Sequence, residues 1–153
     1  MSSVAFRVFA QSGDVVLPVD RLTTQARSHF DAVLAVIGQG DFGATCLSYA
    51  ARGARGDFDV SVRQLGAEDI AAARDVERAK PTGGLADLAL RCRTVWTLEA
   101  RGEPPEWLVF EFSALLASVA LGPILTPEGS SLLGVRGARE RVDRLRGGPL
   151  LMR

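Results

Sequence analysis

With 153 residues, the chain is long enough for one domain with a substantial core; at this size folding removes about two-thirds of the unfolded surface from water. Hydrophobic residues make up 47% and the mean hydropathy is +0.14, which excludes a disordered chain. Basic and acidic residues balance at 18 each, so no net field draws in nucleic acid or an anionic membrane, and neither is expected as a partner.

Lys80 is the single lysine among the basic residues, a bias of the kind a GC-rich bacterial genome produces. Cys46 and Cys92 lie far apart in apolar surroundings, which suits buried thiols rather than a disulfide framework. Two cysteines and one histidine make a poor zinc site, so no metal is expected. The N-terminal "MSSVAFRVFA" lacks the basic region and long apolar run of a secretory signal. The most apolar segment, Trp107 to Leu121, is shorter than the ~20 residues of a spanning helix. These features predict a cytoplasmic protein.

In chain order, "VAFRVFA" alternates, with Val4, Phe6 and Val8 on one face of a strand. "SGD" reads as a turn and "VVLPV" as a second strand, placed at a sheet edge because Pro18 has no N–H to donate. Ala26, Phe30, Val33, Leu34 and Ile37 form one helical stripe and predict a helix over 23–37. Thr23 would be its N-cap, and Gly38 its left-handed C-terminal residue; alanine at Gly38 would then cost about 1 kcal/mol. "ATCLSYA" is a strand that hairpins through "RGARGD" into "FDVSVRQL", where Phe58, Val60 and Val62 face inward. "AEDIAAARDVERAKP" is a helix whose charges match the macrodipole, stopped by Pro81. A short helix, "LADLALRC", and a strand, "TVWTLEA", follow.

"EPPEWLVFEFSALLASVALG" predicts a helix over 105–121 that is apolar all round, bounded by Pro105 and by Gly122 with Pro123. "PILTPEGSS" is a loop, and "LLGVRGARERVDRLRGG" a last helix with Val135, Ala138, Val142 and Leu145 inward. No repeat or linker interrupts the chain. The expected fold is a single α+β domain over 1–153, with about five short, mainly antiparallel strands covered by four or five helices.

Three features bear on function. First, "GQGDFG" at 38–43 sets Gly38, Gly40 and Gly43 in the G-x-G-x-x-G frame of nucleotide loops. The kinase reading fails for want of a third-strand lysine and a catalytic-loop motif, and because "DFG" lies inside the loop itself. The dinucleotide reading needs a strand before Gly38 and a helix after it, with Arg63 near a 2′-phosphate. Second, Glu111 is the only ionisable residue within the apolar stretch Trp107 to Leu121; burial would raise its pKa, as in some active sites, and an arginine partner or a wet stripe would make it structural. Third, Trp107, Phe110 and Phe112 cluster on that helix and are candidate interface anchors. His29 with Cys46 is a weaker nucleophile–base pair, and Gly134–Arg153, with six arginines against two acids, is a locally basic stretch without interleaved aromatics.

"FDVSVRQLGAEDIAAARDVERA" is similar to the first strand and helix of N-acetyltransferases. The later "GVRGARERV" lacks the glycine spacing of their acetyl-CoA loop, so no family is assigned. The leading expectation is a non-enzymatic interaction or assembly module, binding itself or another protein, without cofactor. A nucleotide-binding protein using 38–43 and a small enzyme or ligand-binding fold around Glu111 are the alternatives.

Overall fold

The computed structural model describes residues 5–40 and 43–147, apart from the side chain of Glu128. Val4 of the first predicted strand, Asp41 and Phe42 of the glycine loop, and residues 148–153 of the basic stretch lie outside the described residues.

The order of elements is β1 (Ala5–Ala10), α1 (Val19–Phe30), β2 (Ala32–Gln39), β3 (Thr45–Ala51), β4 (Ala54–Gln64), α2 (Ala67–Ala79), α3 (Leu85–Leu90), β5 (Thr94–Arg101), α4 (Glu106–Ala120), β6 (Ile124–Leu125), β7 (Leu132–Leu133) and α5 (Val135–Leu145). The strands form one seven-stranded sheet in the order β2-β3-β4-β5-β1-β6-β7, and every neighbouring pair is antiparallel. The α+β expectation holds, with two short strands more than foreseen.

Strand alternation sorts the side chains onto two faces. Phe6, Val8, Leu47, Tyr49, Phe58, Val60, Trp96 and Leu98 point to the inner face, where α1, α4 and α5 enclose the main core. Phe9 and Val95 point the other way, into a smaller cluster roofed by Ala73 and Val76 of α2 and by Ala86 and Ala89 of α3. Asp69 fixes α2 to this outer face. Its buried carboxylate accepts two hydrogen bonds from Arg63, at 2.6 Å each, one from Arg7 at 3.1 Å and one from the Gly66 N–H at 2.9 Å. Burial alone would raise the Asp69 pKa; the hydrogen bonds from Arg63 and Gly66, with the charges of Arg63 and Arg7, outweigh it and hold the pKa below the usual carboxylate range.

α4 is the central packing element. Eleven of its fifteen residues are buried, because the sheet lies on one side and α1 and α5 on the others. An apolar circumference is therefore satisfied within the domain. Leu121, not Gly122, is the left-handed residue that ends α4, with φ 64°. Gly122 serves a close approach: a Cβ there would stand 2.0 Å from the Phe9 carbonyl oxygen.

Two expectations are corrected. "VVLPV" is not a strand: Val15 and Val16 are exposed, and Pro18 sits at the start of α1, where its carbonyl accepts the Leu22 N–H. The helix predicted over 23–37 runs instead from Val19 to Phe30. Asp31 ends it in the left-handed conformation, φ 49°, which the short polar side chain of Asp tolerates. Residues 32–39 are then β2, and Gly38 belongs to that strand, past a register shift between Val36 and Gly38.

Candidate functional site

The glycine loop connects β2 to β3, which pair antiparallel from Ala32↔Ala51 to Gln39↔Thr45. Gly40 N–H donates to the Ala44 carbonyl at 2.7 Å, and Gly43 takes φ 78°. A strand does precede Gly38, as the dinucleotide reading required, but another strand follows. Among the described residues the loop therefore leads into β3 and not into the N-terminus of an α-helix, the feature that gives such loops their affinity for phosphate.

The proposed anchors separate. Phe112 is fully buried, stacked on Phe58 at 4.5 Å and tilted against Tyr49 at 5.3 Å. Phe110 is buried edge-on to Phe6 at 5.3 Å. Both belong to the core. Trp107 is half-buried, with the guanidinium groups of Arg52 and Arg146 over its ring at 5.4 and 4.7 Å. His29 and Cys46 do not meet: α1 packs on the inner face, whereas Cys46 lies on the outer face beside Asp59. Burial, then the hydrogen bond with Asp59, pushes the Cys46 thiol pKa up, the wrong direction for a nucleophile.

Glu111 is buried on α4 and fully partnered. One carboxylate oxygen accepts the Tyr49 O–H at 2.6 Å, and the other pairs with Arg52. Arg52 reaches it from the β3–β4 turn, a two-residue loop in which Arg52 and Gly53 both have positive φ, 48° and 81°. That is the geometry of a hairpin turn whose twist matches its strands. Burial pushes the Tyr49 phenol pKa up against the opposing charges of Arg52 and Arg139, so Tyr49 stays a neutral donor. Above this pair opens a cleft of about 300 Å³ lined by Arg52, Glu111, Arg139, Val142, Asp143 and Arg146.

Sequence reasoning singled out Glu111 but missed its neighbours. Arg139, Arg141 and Arg146 are not a plain solvated face; their guanidiniums lie over Phe30, Phe110 and Trp107 at 4.3, 5.1 and 4.7 Å.

The sheet's two edges differ. β7 has two residues, whereas β2 has eight, without charge or proline. On β2, Val33, Val36 and Ile37 are 57%, 48% and 46% exposed. Among the described residues no group of His, Cys, Asp and Glu is placed to hold a metal ion, and no helix is long and apolar enough to cross a membrane. No protein-family model, curated protein or solved structure matches the chain.

Proposed function

We propose that this protein is a non-enzymatic interaction module that self-associates by pairing β2 with β2 of a second copy. The carrying observation is the bare edge of β2, with its three exposed β-branched side chains. An edge strand presents a row of unpaired N–H and C=O groups, and monomeric proteins blunt it with charge, proline or short length. β7 is short; β2 is long and has neither charge nor proline, and its one irregularity, between Val36 and Gly38, lies past the regularly paired residues 32–36. A second copy suits this edge better than another partner. An uncharged apolar strand complements itself, and a chain with balanced charge does not repel its twin. Antiparallel pairing across a two-fold axis also closes the assembly, because it consumes the one long edge of each copy.

The interface role expected of Trp107, Phe110 and Phe112 thus passes to Val33, Val36 and Ile37. The balanced charge argues against nucleic acid or a membrane as partner, and two buried free thiols fit the reducing cytoplasm.

Light scattering at micromolar concentration, over a dilution series, tests the reading. The parent should give the mass of a dimer. Val33→Lys with Ile37→Lys should give a monomer with an unchanged circular dichroism spectrum, and Trp107→Asp should leave the dimer intact. A monomeric parent across the series, or a dimer indifferent to the edge lysines, overturns the proposal.

A further inference from the structure

The cleft above Glu111 combines features that a purely structural salt bridge does not require. Arg139, Val142 and Asp143 of α5, and Arg146 directly after its end, recur at helical spacing and line it. The guanidinium groups of Arg139 and Arg146 lie over the rings of Phe30 and Trp107, 4.3 and 4.7 Å from their centroids. A cation–π contact of that kind helps to hold a guanidinium in place and uses none of its N–H donors on the ring's own polar atoms. Arg139 uses one of those donors on the His29 carbonyl at 3.3 Å. Among the described residues neither arginine has a carboxylate within ion-pair distance, whereas Arg52 is held by Glu111.

The charge balance indicates what fits. Three guanidiniums and two carboxylates line the cleft, leaving one positive charge. A single carboxylate would neutralise it, and its planar oxygen pair matches a guanidinium fork. A phosphate dianion would overshoot, close to Glu111 and Asp143. Val142 is the apolar residue of the lining, available to the body of a ligand, and Trp107 lies behind Arg146. We propose that this cleft binds an organic carboxylate, with Arg139 and Arg146 taking the carboxylate and the Arg52–Glu111–Tyr49 set holding the floor.

Calorimetric titration of the full chain with benzoate, inorganic phosphate, and a short peptide with a free or amidated C-terminus tests this, alongside the Trp107 indole N–H resonance. Benzoate or the free-acid peptide should bind saturably and shift Trp107. Arg139→Gln and Arg146→Gln should each weaken binding about tenfold with the melting temperature unchanged, and Arg146→Lys, which keeps the charge without the planar fork, should also weaken it. Tighter binding of the peptide, lost on amidation, would identify a chain terminus as the ligand; binding of benzoate alone would identify a free acid. Absence of saturable binding by both carboxylates, equal affinity in the glutamine variants, or tighter binding of phosphate than of either carboxylate would overturn the proposal.

Discussion

Replacing Tyr49 by Phe isolates the hydrogen bond that satisfies Glu111. Tyr49 is fully buried, and its ring packs on Phe112 at 5.3 Å, a contact that Phe preserves without loss of volume. Only the O–H is removed, and with it the 2.6 Å bond to the carboxylate. Arg52 still pairs with the other oxygen, so the charge keeps a counter-ion, although the Arg52 side chain is 31% exposed. What remains is a buried charged acceptor short of one donor. Such a loss costs about 1–3 kcal/mol, and a charged acceptor belongs in the upper half of that range, so we expect ~2 kcal/mol. For a domain of this size that corresponds to a fall in Tm of about 4–8 °C. Urea unfolding followed by circular dichroism measures it, with an unchanged slope confirming that the folded state keeps its compactness. Adding Glu111→Gln should make the two losses non-additive, since they remove one shared interaction. A Tyr49→Phe variant within ~0.5 kcal/mol of the parent would refute the view that this bond is a structural requirement.

Asp69 makes stability depend on acid pH. Its folded pKa lies below the ordinary carboxylate range, so its contribution is complete above the unfolded pKa and fades as pH falls through the lower folded value; Asp69→Asn should flatten the stability–pH curve in that window, and a curve of parental slope there would contradict the assignment. Two glycines should respond with opposite signs. Gly122→Ala places a Cβ 2.0 Å from the Phe9 carbonyl and should destabilise by about 3 kcal/mol or more. At Gly38 a Cβ meets nothing within 4 Å and φ is not left-handed, so Gly38→Ala should be neutral or stabilise by up to ~1 kcal/mol, reversing the expectation from sequence; equal losses at both positions in thermal unfolding would refute the distinction.

The parts of the fold legible in the sequence are those where one period dominates. "DFDVSVRQL" alternates without interruption and is β4; "AEDIAAARDVERA" is bracketed by matching charges and is α2. Residues 23–37 misled because two periods overlap there. α1 buries Leu22, Ala26 and Phe30 at helical spacing, and β2 buries Ala32 and Leu34 at spacing two. Ala26, Phe30 and Leu34 then fall by coincidence on a single stripe. The enrichment in Val33, Val36 and Ile37, and an Asp able to turn the chain, were the available signs of a strand. Glu111 stood out as the lone charge in the apolar run from Trp107 to Leu121. Its partners did not, because Tyr49 and Arg52 reach it from a different hairpin and Arg139 and Arg146 from the last helix; no local spacing records such a meeting. β6 and β7, two residues each, are too short to leave a periodic trace.

The position of β1 shapes how the chain folds. β1 is first in sequence yet lies between β5 and β6, with Ala5 opposite Glu99 and Val8 opposite Ile124. The hairpins of β2, β3 and β4 need only neighbouring residues, whereas β1 finds no partner until the chain beyond residue 94 is available. Closing so long a loop costs entropy before any contact repays it, which slows folding. On the ribosome the early product is therefore a three-stranded meander without its central strands and without α4, its inner apolar face open to water. Val8 and Phe9, fully buried in the finished domain, are without their partners during that interval, alongside a β2 edge that is bare before and after it.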